Sequence, residues 1–120
     1  MRRAEEPTAE QPVTRTVLLD ARLGHVKDIS HVQIREIRIL PGHKAGMHVH
    51  NGPVVGSILA GTVTYKIEGQ SAVVLHPGDV FFEPEGEHIA QFDAGEEGAT
   101  FLAYFLLSPG QEPQITMLGE

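Results

Sequence analysis

Pro41-Gly42-His43-Lys44-Ala45-Gly46-Met47-His48-Val49-His50, running on through Val54 to Gly61, is the stretch from which the rest of the chain can be read. His48 and His50 are separated by one residue in a segment with strand character, so they project from the same face. Val54 lies four residues beyond His50 and faces the same way if the alternation resumes in register. The same period carries Gly56 and Ile58 onto that wall. Two imidazoles side by side on the inner wall of a small β-barrel are the beginning of a metal site. A His-x-His pair alone is weak evidence, and the reading gains weight from the glycines that frame it and from a further histidine, His88, downstream.

The rest of the composition narrows the chemistry. One hundred and twenty residues suit one domain with a core of its own. A net charge of −7 without a basic block argues against a nucleic-acid surface. The absence of cysteine rules out disulfides, iron–sulfur clusters and thiolate zinc sites. Any metal must then be a divalent ion held by imidazole and carboxylate, with Fe, Mn, Ni, Cu and Zn all suited. No apolar run approaches the ~20 residues of a membrane helix. The N-terminus has no apolar signal core, so a cytoplasmic protein is expected unless a signal peptide has been removed.

Residues 1–12 are rich in Ala, Glu, Pro, Thr and Gln and read as a flexible arm. The folded domain is expected over 13–120, opening with a β-branched run from Val13 to Leu19. From Val32 to Leu40 the apolar phase slips between Val32/Ile34 and Ile37/Ile39, which predicts a bulge near Arg35-Glu36. Thr62 to Glu68 alternates cleanly, and Glu68-Gly69-Gln70 turns the chain back into Ser71–Leu75. His76-Pro77-Gly78-Asp79 is a second turn, leading into Val80-Phe81-Phe82. Ala99 to Leu107 is apolar on both faces, as in a strand covered on both sides, and predicts a homodimer paired through that strand. No stretch shows a helical period. Short strands at near-regular spacing predict an all-β jelly-roll barrel.

Gly42-x5-His48-x-His50-x3-Val54-x6-Gly61 resembles the first motif of the cupins, a family in which Val54 would be glutamate. Gly78-x5-Pro84-x-Gly86-x-His88 resembles the second, more loosely. Strict family spacing would put the second-motif histidine at Ile89 and its asparagine at Asp93. The resemblance covers about residues 32 to 107, most of the chain. The resemblance implies a double-stranded β-helix with a metal on His48, His50 and a second-motif histidine, but it supplies no counterpart for the carboxylate missing at Val54.

Strand alternation is the guide to the third histidine. If Ile89 faced inward, strict period two would bury Gln91 and Asp93 and leave His88, Ala90 and Phe92 outside. The second set lines an apolar cavity better, and buried unpaired polar groups are costly. His88 is therefore expected as the third ligand, with Ala90 and Phe92 beside it on the cavity wall. Glu83, Glu85 and Glu87 read as a charged rim, and the remaining histidines as loop or surface residues.

No nucleophile elbow or phosphate loop is present, so chemistry would come from the metal. The leading expectation is a small metalloenzyme of oxygenase type acting on a small organic molecule, acidic ones included. The alternative is a non-catalytic binding or sensor module, with or without metal. Fold alone does not separate the two.

Overall fold

The computed structural model describes Glu6, Thr8 and residues 11–119, so the expected arm over 1–12 lies largely outside the described residues. Seven strands follow: β1 His31–Ile39, β2 His48–His50, β3 Val54–Ile67, β4 Val73–Leu75, β5 Val80–Glu83, β6 Ile89–Leu107 and β7 Ile115–Met117. All pair antiparallel in one sheet, with the path β4-β3-β6-β2-β7, β1 added to β6 and β5 added to β3. The described residues contain no helix. The fold is the all-β double-stranded β-helix of a jelly-roll barrel.

β3 and β6, at 14 and 19 residues, are the two long strands around which the barrel is built. Each bends where its register shifts, between Ile58 and Ala60 and between Gly61 and Val63 on β3. Gly61 takes a φ of 74° there, and a Cβ on it would collide with the Gly98 carbonyl, so only glycine permits this approach of the two strands. The inner face closes over Val54, Ile58, Val63, Phe81, Ile89, Phe92, Phe101 and Leu107. Phe92 packs edge-on and tilted against Phe81 and Phe101, with ring centroids 5.1 and 5.0 Å away. Tyr65 joins this cluster and donates its hydroxyl proton to the Phe82 carbonyl. Burial, helped by the Glu83 carboxylate, pushes its phenol well above the usual tyrosine range.

Three local expectations are corrected. β1 and β6 pair without interruption from His31 opposite Leu107 to Ile39 opposite Ala99, so no bulge interrupts Arg35-Glu36. The apolar phase slips because polar residues take inner-face positions near the strand's start. Arg35 shares the phase of Ile37 and Ile39, and its guanidinium lies over the Phe105 ring, 5.2 Å from the centroid. The outer phase leaves Val32 and Ile34 51% and 56% exposed.

Val13 to Leu19 forms no strand, and the first one begins at His31. The segment before it is irregular and leaves apolar side chains in solvent, Val17 at 75% and Val26 at 94% exposure. Lys27 ties it to the barrel through an ion pair with Glu85 at 3.1 Å. Glu83 is the third correction. It is not part of a charged rim but 4% exposed, on the inner face.

Candidate metal centre

β2 is only three residues long, and its alternation turns both His48 and His50 into the barrel with Val49 between them. Their rings meet edge to face with centroids 5.1 Å apart. β5 supplies the third group by the same alternation: Phe81 and Glu83 are its two buried residues, and Glu83 follows Phe81 inward. The ligand atoms of His48, His50 and Glu83 all lie within 4.8 Å of one another. Glu83 pairs directly with Val54 across β5 and β3. Cross-strand partners project to the same face about 4.5–5.5 Å apart. The carboxylate missing at position 54 is thus present one strand over. Position-by-position motif comparison passed over it, although period two along Phe81-Phe82-Glu83 carried the signal.

The hydrogen-bond geometry suits a cation. His48 Nδ1 lies 2.8 Å from the Gly46 carbonyl, which can only accept, so the Nδ1 proton is donated there. That leaves Nε2 as the nitrogen turned to the cluster, 3.9 Å from a Glu83 carboxylate oxygen. His50 Nε2 contacts the other carboxylate oxygen directly. His48 is 2% and Glu83 4% exposed, so bulk water does not reach between them. Two imidazole nitrogens and a carboxylate converging in a dry wall are a donor set that a divalent cation could bridge. A backbone carbonyl that fixes the non-ligating nitrogen is also the usual support of a metal-binding histidine.

His88 lies elsewhere. Its side chain is on the outer surface, with Nδ1 3.0 Å from Glu68 in the turn that follows β3. Ile89 faces inward instead, fully buried and directly opposite His48. The reason is a β-bulge that sequence periodicity alone did not reveal. Lys66 pairs with Gln91 but Ile67 pairs with Ile89, leaving Ala90 as the extra residue. The bulge resets the phase, so Ile89 and Phe92 both point inward although they are three apart. Asp93, in the place of the family asparagine, accepts the Ala45 backbone N–H at 3.2 Å. It thereby helps hold the loop that leads into β2.

A cavity of about 430 Å³ opens onto the cluster, within the usual range of small-molecule sites. Val54 and Phe92 line it, together with Ile37, Ile39, Phe101 and Phe105. Gly56, Ile58 and Ala90 do not. The Phe81 ring fills the space beside Gly56, where a Cβ would strike it. Ile58 is buried in the core at 1% exposure, and Ala90 is displaced by the bulge.

These features define a jelly-roll barrel with a two-histidine, one-carboxylate cluster at the base of an apolar cavity. The cupin domain family model matches residues 35–105, and the chain belongs to the cupin family. Among solved structures, oxalate oxidase in complex with the substrate analogue glycolate is similar at 23% identity and a TM-score of 0.61, over 72% of this chain and 46% of that one. The structures of DMSP lyases RdDddP and RnDddQII give 19% identity and a TM-score of 0.63, over 75% of this chain and 45% of theirs. A cupin-like protein from Thermotoga maritima gives 22% and 0.62, over 73% and 65%. The chain thus spans less than two thirds of the length of each, and the likeness is one of fold. No match to the sequence was found among curated proteins.

Proposed function

We propose that this chain is a metal-dependent enzyme of oxygenase type that acts on a small, acidic organic molecule, with one divalent ion held by His48, His50 and Glu83. The observation that carries this reading is the convergence of His48, His50 and Glu83, whose ligand atoms lie within 4.8 Å of one another in a buried wall, with His48 Nδ1 held by the Gly46 carbonyl so that Nε2 turns to the cluster. Two histidines and one carboxylate with open positions suit Fe(II) above all, and Mn, Ni, Cu or Zn by the same donor chemistry. A bound ion would supply Lewis acidity and free coordination positions for substrate and for water or dioxygen. The protein's part is to fix the ligands, orient the substrate and exclude bulk water. Gly46 holds the His48 tautomer, Val54 keeps the wall beside the cluster apolar, and the phenylalanines dry the cavity.

A second reading, a binding or sensor module, draws on Val54 and Ile89 at two of the four positions where the family resemblance puts ligands. Oxygen uptake by iron(II)-loaded protein against a panel of small organic acids separates the readings. Consumption with at least one acid, lost in Glu83→Gln, is expected. An iron-loaded protein that binds acids without consuming oxygen is a binding module.

We further propose that the working form is a homodimer. The outer face of β1 and β6, with Val32, Ile34, Leu102, Tyr104 and Leu106, is only half covered by its own chain.

A further inference from the structure

The polar side chains inside the cavity are gathered at one place. Among the described residues, the buried polar side chains are those of His48, Glu83 and Tyr65. Tyr65 does not line the cavity and gives its hydroxyl proton to the Phe82 carbonyl. His50 joins the other two at the cluster. Beyond the cluster the wall is built from Ile37, Ile39, Phe92, Phe101 and Phe105. It is apolar from the cluster outward. Val54 stands opposite Glu83 across β3 and β5, and the Phe105 ring meets His50 edge to face with centroids 6.4 Å apart. Arg38 adds no charge to this wall, because it lies between Ile37 and Ile39 on β1 and alternation turns its side chain to the outer face. Leu40 and His43 are exposed, at the mouth. That layout limits what a ligand can carry. With Glu83 on a divalent ion one positive charge is left, which a single ligand carboxylate neutralises. A further polar group out of reach of the ion would lose its water against phenylalanine and isoleucine and find no partner there.

We infer that the cavity takes monocarboxylates with an apolar body and rejects acids that carry a second polar group remote from the first. The acid group sits at His48, His50 and Glu83, and the body lies against Ile37, Ile39 and the phenylalanines. The inference rests on the proposed function for the ion and the acid group, whereas the preference of the wall for an apolar body stands without either. The orientation has a chemical consequence. The carbons presented to the cluster are those next to the acid group, and the far end of the molecule is held by packing alone. Specificity follows from the wall: extended dicarboxylates and polyhydroxy acids are excluded by what they would bury, not by the metal.

The test is calorimetry with crotonate and fumarate on cobalt(II)-loaded protein, and with their neutral amides, crotonamide and fumaramide, on chelator-treated protein. Each pair shares a rigid trans-alkene frame, so the second polar group of fumarate or fumaramide is held away from the first. Crotonate is expected to bind at least about ten-fold more tightly than fumarate, and crotonamide at least about ten-fold more tightly than fumaramide, the cost of one buried polar group left unpaired. The visible bands of the cobalt(II) protein should shift as crotonate binds, because its acid group enters beside the ion. Ile37→Lys, checked for folding by its thermal melt, offers the far carboxylate a partner and should abolish the preference for crotonate. Fumarate bound as tightly as crotonate, or fumaramide as tightly as crotonamide, would overturn the inference. Crotonate binding with an unshifted spectrum would overturn the orientation. Failure of cobalt to load would strike at the metal assignment, and the amide pair would still decide the preference of the wall. Both preferences in a protein that consumes oxygen with no acid would uphold the inference and remove the enzyme reading.

Discussion

Glu83 and Ile89 differ from the family pattern in opposite senses, and both differences act on the same few ångströms of wall. Glu83 brings a carboxylate to the face that Val54 leaves apolar, and Ile89 puts an aliphatic side chain where a third imidazole would stand. Period two along β5 makes the first legible in the sequence once Phe81 is assigned to the core. The two flanking glutamates disguised it as one of a charged row. Ile89 faces His48 across the β2–β6 ladder, so Ile89→His should add an imidazole within reach of the same ion. The expected result is at least a ten-fold gain in metal affinity, measured by competition with a chelator. In the metal-free protein the same change should cost about 1–3 kcal/mol in urea unfolding, because a polar ring enters a fully buried position. Unchanged metal affinity would mean that position 89 does not face the ion.

Secondary elements were legible where alternation runs unbroken and illegible where it resets. Thr62 to Ile67 falls within β3, with Val63 and Tyr65 inward as its alternation implies and Glu68 opening the turn, and Ala99 to Leu107 falls within β6. β6 also continues through Gly95 and Gly98, so two separately read strands are one bent element. The bulge at Ala90 is the decisive case for the site. An argument from strict period two forces a choice between Ile89 and Phe92 on the inner face, and one unpaired residue lets both face inward. That choice made His88 a ligand in the sequence reading, whereas the structure pairs it with Glu68 on the surface. Nothing in the local composition marks the bulge, because Ala90 is neither glycine nor asparagine. It emerges from the pairing with Lys66 and Ile67, which lie more than twenty residues away. The converse happened at β1, where a bulge was expected and the ladder is continuous. There, Arg35 takes an inner-face position by laying its guanidinium on Phe105, which a polarity pattern does not anticipate.

Across the whole molecule, the barrel and the segment before it differ in how much of their apolar surface is covered. The radius of gyration is 15.7 Å, against about 13.6 Å for an average folded chain of this length. Val17 and Val26 on that segment, and Val32 and Ile34 on β1, stand in solvent. Val32 and Ile34, with the outer residues of β6, form the surface proposed above for a second copy. Sedimentation at micromolar concentration should show a dimer, and Ile34→Glu should shift it to monomer without unfolding the barrel, since Ile34 is 56% exposed within its own chain. A wild-type monomer would remove the assignment.

The central claim is that His48, His50 and Glu83 hold one ion and that His88 does not. Elemental analysis of protein carrying no histidine tag, reconstituted with each of Fe, Mn, Ni, Cu and Zn and then desalted, tests it most directly. About one ion per chain is predicted for wild type and for His88→Ala with at least one of these metals. Glu83→Gln, compared at the same fold as judged by its thermal melt, should retain less than a tenth of that. Wild-type protein that retains none of the five metals, or a full complement in Glu83→Gln, would contradict the account.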